Sequence, residues 1–428
     1  MKQIAQYTQR SVTPALIMLC IGMVLGTPRA AACDSEEPCD GLSLEIGYTG
    51  DGRHVAAGGL ATGTAYSDVL DVAAGLRSTR LFSSSDFTAR LSLMHTGGRS
   101  ASEELVGDML GINGIDAPPG WRLYEAWTQW DFGSRHTMSV RAGWLDLNAE
   151  FDAPATAEIF THSAFGQGGD FGQSGVNGPA SWPITALGLR VASASPAGYD
   201  FRLGVYEAVA GDVTRDRFVT TDWSSAEGAL LVGELGVTRA SWNRLAIGTW
   251  YYSSSFERID APLRPVAEQS GYGNGGIYLL ADRRIFALDR WRVDGFLRIG
   301  AAAEEFNPLD KFLATGAVVA GLNPFRPDDR VAIGLLIGRT GAPYRRIVRA
   351  AAREPAAQEL ALELLYRAEI GDRLAIVPNL QLVRSPGADT QLSDAWVVGF
   401  RFELGMAHEL PLQSQSVRGA PAAAVAVR

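Results

Sequence analysis

Beyond its first thirty residues the chain has no uninterrupted apolar stretch approaching the ~18 residues that a membrane-crossing helix needs. A polytopic helical protein is excluded. Basic residues are in deficit, with 38 Lys and Arg against 47 Asp and Glu and a formal charge of −9. A general nucleic-acid binder needs a basic footprint to displace counterions from phosphates, so no nucleic-acid partner is expected. Cysteine is down to three and histidine to five. None of His54, His95, His136, His162 and His408 falls in an HExxH or other paired spacing, and no GxSxG elbow or Walker loop occurs. No metal, no cofactor and no enzyme are expected. Proline (20) is outnumbered by glycine (48), spread along the whole chain, so no linker divides the 428 residues into separate domains. Disorder is excluded as well, because 9% aromatics and abundant Leu, Val and Ile can bury ample surface.

What is present begins with an address. Lys2 and Arg10 precede a short apolar core, Ala15 to Leu25, which ends in Ala30-Ala31-Ala32. A basic region, a short apolar core and small residues in that order are a secretory signal, with cleavage expected after Ala32. Residues 33–40 form a short N-terminal segment. Its two thiols, Cys33 and Cys39, are close enough for a small local disulfide in an oxidising compartment. A lipid anchor on Cys33 is the sharper alternative, although Ala30 stands where such sites usually carry Leu.

From residue 41 to 404 the sequence alternates. In DAWVVGFRFEL, Trp396, Val398, Phe400, Phe402 and Leu404 share one face, while Arg401 and Glu403 lie on the other. In LALELLYRAEI, Leu360, Leu362, Leu364 and Tyr366 oppose Glu363, Arg367 and Glu369. Period two is the strand signature, because successive side chains point to opposite faces. About sixteen such segments follow one another, joined alternately by tight turns and by long connections rich in Gly, Pro, Ser and Asp. Short turns at one end and long loops at the other predict an all-β fold, a transmembrane antiparallel β-barrel. A soluble sandwich is the competing architecture. The secretory signal, the missing linker and aromatics near strand ends (Trp121, Trp130, Phe132, Trp144, Trp182) favour the barrel, which also leaves no open sheet edge. Residues 405–428 read as a disordered, low-complexity tail.

If the apolar faces meet lipid, the polar faces meet a lumen. In RLYEAWTQWDF–GSR–HTMSVRAGWLDL, placing Tyr124, Trp130 and Phe132 outside puts Glu125, Trp127, Gln129 and Asp131 inside. A three-residue turn sets Trp127 opposite Arg141 and Glu125 opposite Gly143. Arg190 and Arg202 join them from later strands, with Glu234, Trp250, Asp294 and Arg298 further on and Glu45, Asp71 and Arg90 before. Any one inner charge can simply hydrate a pore. An acid, an indole and a guanidinium together suit a sugar, which offers apolar ring faces for stacking and hydroxyls for fixed donors and acceptors. The candidate contacts are therefore Glu125, Trp127, Arg141, Arg190 and Arg202.

One connection stands out. Residues 148–181, between the fifth and sixth strands, carry Phe151, Phe160, Phe165 and Phe171, unlike a solvated tip. Long loops are usually functional or disordered, and this one is expected to fold into the barrel as a constriction, with Phe151, Phe165, Asp170 and Phe171 as its marker residues.

The ordered set RLYEAWTQWDF, RAGWLDLNAEFD, SAFGQGGDFGQ, WPITALGLRV, GLNPFRPDDRVAIGLLIGR, LALELLYRAEIGDRLAIVPNLQLVRSPGAD and DAWVVGFRFEL resembles the carbohydrate-selective porins (OprB type) of Gram-negative outer membranes, over about residues 41–404. The resemblance implies sixteen strands, a constriction loop between strands five and six, a homotrimer in outer-membrane lipid, and passive uptake of glucose-like carbohydrate solutes. It also places Glu125 and Arg141 at the family's charged positions. A general or anion-preferring pore is the alternative. A barrel acyl hydrolase, whose only candidate pair is His162-Ser163, is the alternative of another class.

Overall fold

The computed structural model describes residues 40–82, 85–133, 137–211, 218–219, 228–239 and 242–411. The expected cleavage after Ala32, the Cys33 and Cys39 segment and the chain beyond Pro411 lie outside these residues. Sixteen antiparallel strands close into one barrel. The first half comprises β1 (Gly41–Ala57), β2 (Gly63–Phe82), β3 (Ser85–Gly98), β4 (Gly120–Phe132), β5 (Met138–Leu145), β6 (Ala186–Ala194), β7 (Tyr199–Glu207) and β8 (Ala229–Arg239). The second comprises β9 (Trp242–Tyr252), β10 (Gly275–Leu288), β11 (Trp291–Ala302), β12 (Leu309–Ala320), β13 (Arg330–Thr340), β14 (Gln358–Ile370), β15 (Leu374–Arg384) and β16 (Ala395–Pro411). Each strand pairs with its sequence neighbours, and β1 pairs with β16 from Gly41↔Pro411 to Ala57↔Trp396 to close the ring.

The closing strand is longer than the sequence suggested. Alternation fades after Leu404, yet residues 405–411 stay in the ladder because Gly41 to Gly47 on β1 supply partners for every one of them. An unpaired strand end at a membrane surface would leave its amides without partners, so the seam extends as far as both strands do.

The barrel faces are sorted as period two requires. On β14, Leu360, Leu362, Leu364 and Tyr366 look outward, and Glu359 and Glu363 are buried inside. On β16, Trp396, Val398 and Phe400 are exposed to the surroundings while Arg401 is buried within. Hydrocarbon supplies no hydrogen bonds, so a closed sheet is the way a β-chain satisfies its backbone there. Side chains on the outer face need only be apolar.

Connections obey the same logic. The turns 195–198, 289–290 and 371–373 are tight and lie at the end where both termini of the barrel emerge. The connections at the opposite end include 99–119, 146–185, 253–274 and 341–357. A two-stranded ribbon, Phe256–Glu257 with Ser270–Gly271, sits in the third of these, and a helix, Ala342–Ala350, in the fourth.

Leu364 lies midway along β14, 48% exposed, between Ile333 of β13 and Leu380 of β15. Leu364→Arg is expected to destabilise the barrel by about 2–4 kcal/mol, the cost of a basic residue on the lipid face near the bilayer midplane. Leu364→Ala should cost far less. Denaturant unfolding in phospholipid bilayers reads the difference.

Candidate functional site

Two connections fold back into the barrel and fill much of it. Residues 146–185 cross the lumen from β5 and β6 to the far wall. Their backbone amides are taken up by inner-face carboxylates: Asp152 N–H donates to Glu234 at 3.2 Å, Thr156 N–H to Asp282 at 2.9 Å, and Thr161 and His162 N–H to Glu363 at 3.1 Å each. Residues 99–119 do the same from the other side, with Met109 and Leu110 N–H donating to Glu359 at 2.8 and 3.0 Å. A loop inside a barrel has few neighbours with free acceptors, and wall carboxylates provide them. The second loop was not foreseen. Its sequence, without aromatics or a long Gly-rich run, carries no signal beyond its length.

The long loop is clamped by one arginine. Arg298 on β11, fully buried, meets Asp152 at 2.8 Å and also pairs with Asp170. Burial lifts Asp152 to about 6 against the opposing pull of Arg298, and raises Asp170 in the same way. Around this clamp the loop's aromatics dock on the wall. Phe171 stacks on Trp250 at 4.3 Å, Phe160 stacks on Phe165 at 4.2 Å, and both Phe160 and Phe165 abut Phe296. Phe151, Phe165, Asp170 and Phe171 are thus buried anchors of the constriction, not the residues that face the opening. Trp250, Glu234 and Arg298, inward as the alternation requires, are covered by the loop and are not wetted by the lumen.

The opening is bounded by half-exposed charges on β1 to β9. Here the expected register needs correction. The β4–β5 connection spans residues 133–137, two residues more than the three-residue turn, so Trp127 opposes Gly143 and Gln129 opposes Arg141. Arg141 nevertheless reaches Trp127 diagonally, its guanidinium 4.0 Å from the indole centroid. The indole face expected to stack a sugar therefore carries a cation, and the indole N–H donates to Glu125 at 3.1 Å. Tyr124 also departs from its outward placement. A bulge opposite Ser92 and Leu93 turns it inward, where its hydroxyl donates to Asp146 at 2.6 Å.

Glu150, at the start of the long loop, is the residue that sequence reasoning passed over. Its carboxylate meets Arg141 at 2.7 Å and Arg190 at 2.6 Å, and its carbonyl accepts from Arg202. Three strands' arginines converge on one loop residue. Arg190 is almost fully covered (4% exposed), whereas the Arg202 side chain keeps 28% of its surface. Neighbouring pairs continue the pattern: Arg90 with Glu45 (2.9 Å) and Glu125 (3.5 Å), and Arg244 with Asp200 (2.7 Å) and Glu234 (2.6 Å). Arg202 also lies 3.7 Å from Asp200 and 3.6 Å from Glu234.

Between the two inward loops lies a cavity of about 410 Å³, with Asn148, Gln167, Gln173, Ser181 and Trp182 among its lining residues. That volume falls within the range of small-ligand pockets, about 300–1,000 Å³. His162 borders it but is buried, and burial holds its imidazole down at about 3, so it is neutral near neutral pH. Its Nδ1 accepts from Ala164 N–H, and no hydrogen bond joins it to Ser163 among the described residues.

Residues 61–406 match the carbohydrate-selective porin family, OprB. No curated protein matches the chain. Among solved structures, the high-pH form of Pseudomonas putida OprB superposes with a TM-score of 0.77 at 18% identity, covering 86% of this chain and 94% of that one. The Acinetobacter baumannii outer-membrane channel DcaP gives 0.52 at 10% identity, with 88% and 100% covered. Salmonella typhi OmpF, in complex with daunomycin, gives 0.54 at 10% identity, with 85% and 98% covered. At such identities the likeness is one of fold.

Removing one partner of a buried charge cluster costs about 3–5 kcal/mol, because the remaining charges stay buried without compensation. Arg298→Met should therefore release the 146–185 loop while the strand ladder survives. The expected readouts are a larger, noisier single-channel conductance in planar bilayers and faster proteolysis within that loop.

Proposed function

The chain belongs to the carbohydrate-selective porins of the OprB family, and from that membership and the charge balance of its lumen we propose a channel for glucose-sized sugars that discriminates against ions. It is a sugar-selective porin of the Gram-negative outer membrane. The observation that carries the finer reading is the pairing of the inner arginines. Arg90, Arg141, Arg190, Arg202 and Arg244 each lie within 4 Å of a carboxylate, supplied by Glu45, Glu125, Glu150, Asp200 and the buried Glu234. A wall of one sign would concentrate counterions and speed their passage. A wall whose arginines are all engaged by carboxylates carries no excess of cations. It still offers planar guanidinium donors and carboxylate acceptors at short spacing, the inventory a polyol needs when it sheds water.

Passage is driven by concentration alone. A sugar entering from the long-loop side meets the polar cavity between the two inward loops, then the paired wall formed by β4 to β9. Each hydroxyl exchanges a water for a donor or acceptor that is already half engaged. Contacts of that kind are weak, and weakness is required, since a solute held tightly would block its own flux. The anion-preferring alternative requires unopposed arginines, which this wall lacks among its described residues.

The homotrimer is proposed on a separate feature of the outer surface. On β1 to β4 the outward face is not uniformly apolar. Tyr48 donates to Asp68 at 3.2 Å and shares a 2.8 Å hydrogen bond with Tyr66, and His95 packs on Trp121 at 5.0 Å. A carboxylate turned toward hydrocarbon is costly. Contact with a second and third copy would remove this patch from lipid.

Two outcomes are expected. Glucose added to the bath should lower single-channel current in planar bilayers, and Glu150→Gln should raise the anion-to-cation permeability ratio by about tenfold by leaving Arg141 and Arg190 unopposed. Current untouched by glucose and by longer oligosaccharides would refute the sugar reading. Asp68→Arg should convert the trimer to single barrels in unheated gels and leave the conductance per barrel unchanged.

A further inference from the structure

The outer surface carries a second departure from apolarity, on β12 to β15, which β16 separates from the β1–β4 face. At the long-loop end of β12 to β15 the outward positions are Lys311, Arg339, Gln358 and Arg384, in successive strands. The register makes them neighbours: Lys311 pairs with Arg339, Arg339 with Gln358, and Arg384 with Leu360, two residues further along β14. The equivalent outward positions on β5 to β10 are Trp144, Leu187, Val205, Leu231, Tyr251 and Ile277, none of them charged. The basic row is therefore local.

Its height is also defined. Below it the outward residues are aliphatic: Leu313 under Lys311, Ile337 under Arg339, Leu360 under Gln358 and Leu382 under Arg384. The β14 outward apolar series runs from Leu360 through Tyr366 to Ile370, a span of ten residues. At about 3.3 Å per residue and a tilt of about 40°, that is roughly 25 Å, the height of the ~25 Å apolar band of an outer-membrane barrel. The three cations thus stand at the headgroup level of the external leaflet, directly above acyl chains.

Local acids do not use them up. Asp310 lies 4.0 Å from Arg339, whose side chain is 49% exposed, and Asp394 lies 3.1 Å from Arg384, 62% exposed. Lys311 has no ion-pair partner among the described residues. It is one of two lysines in the whole sequence, the other being Lys2. In a chain that otherwise uses arginine, this ammonium is placed where lipid headgroups must lie.

We propose that Lys311, Arg339 and Arg384 form a docking site for the phosphate of an outer-leaflet glycolipid, a phosphorylated lipid A, whose acyl chains lie along the aliphatic rows beneath. Guanidinium and ammonium donors form short charge-assisted bonds to phosphate oxygens, and a headgroup fixed at this height keeps its tails in register with the apolar band. The site would tie each barrel to the external leaflet beside, and not within, the β1–β4 face proposed to meet other copies.

The scarcity of lysine makes the test specific. The full-length protein is reconstituted into phosphatidylethanolamine vesicles containing either diphosphoryl lipid A or its dephosphorylated form, and acetylation of Lys311 by a membrane-impermeant amine reagent is followed on its peptide. Diphosphoryl lipid A is expected to slow the reaction by about fivefold relative to the dephosphorylated form. Arg339→Gln with Arg384→Gln should abolish that protection while single-channel conductance stays unchanged. Equal rates in the two vesicle types, or protection that persists in the double variant, would overturn the site. Protection by inorganic phosphate alone would overturn its assignment to a lipid.

Discussion

A backbone amide or carbonyl away from water must find a partner, and most of this structure follows from that demand. In hydrocarbon the partner is the adjacent strand, so the sheet closes, and the closing strand keeps pairing as far as Pro411. In the lumen the demand falls on the two loops that leave the aqueous end and turn inward. They contain little regular structure, so only some of their amides find partners in the loops themselves, as Gly114 N–H does at Thr161 and Ser163 N–H at Gly111. Inner-wall carboxylates at Glu234, Asp282, Glu359 and Glu363 accept others. The polar face of the barrel therefore has two duties. Part of it meets water, and part replaces water for a buried loop.

This division explains how charge is distributed inside. Where the loops lie, inner charges are buried and engaged in holding them, as Glu234 does with Asp152 N–H, Arg298 with Asp152 and Asp170, and Arg401 with Asp51 and Asn113. Elsewhere on the wall charges keep part of their surface and pair among themselves, as Arg90 does with Glu45 and Arg367 with Glu403. Glu150 joins the two regions. It belongs to the loop, yet its carboxylate completes the wall on the side of the opening, so docking the loop and balancing the arginines are one event.

Period-two alternation was enough to read the barrel and most of its strand faces, because lipid outside and polar matter inside act on every second residue, while the inward turn of residues 148–181 was legible from their length and their four phenylalanines. Register was not legible at the hairpin that matters most. The β4–β5 connection spans five residues where a three-residue turn was read, and two residues of slip keep every side chain on its face while changing its partner. Tyr124 was misplaced for a related reason, since a bulge changes the face of one residue without altering the composition around it. Residues 99–119 were missed because what brings them inward is the acceptor Glu359, far away in sequence. Arg141 and Trp127 were correctly brought together as neighbours, but through a diagonal contact in which the cation covers the indole.

That contact bears on how a neutral solute is recognised here. An exposed indole beside free arginines would attract anions and bind sugar rings strongly, and both would work against rapid, selective flux. Stacking Arg141 on Trp127 and engaging the same guanidinium with Glu150 and Gln129 leaves a surface that is polar, rigid and nearly uncharged. Such a surface has nothing for an ion to neutralise. A hydroxylated solute, by contrast, can exchange its water hydrogen bonds for ones of similar strength at little cost, because the donors and acceptors are already fixed in place. On the function proposed above, selectivity for sugars rests less on attraction to the sugar than on arranging charge so that nothing charged is favoured.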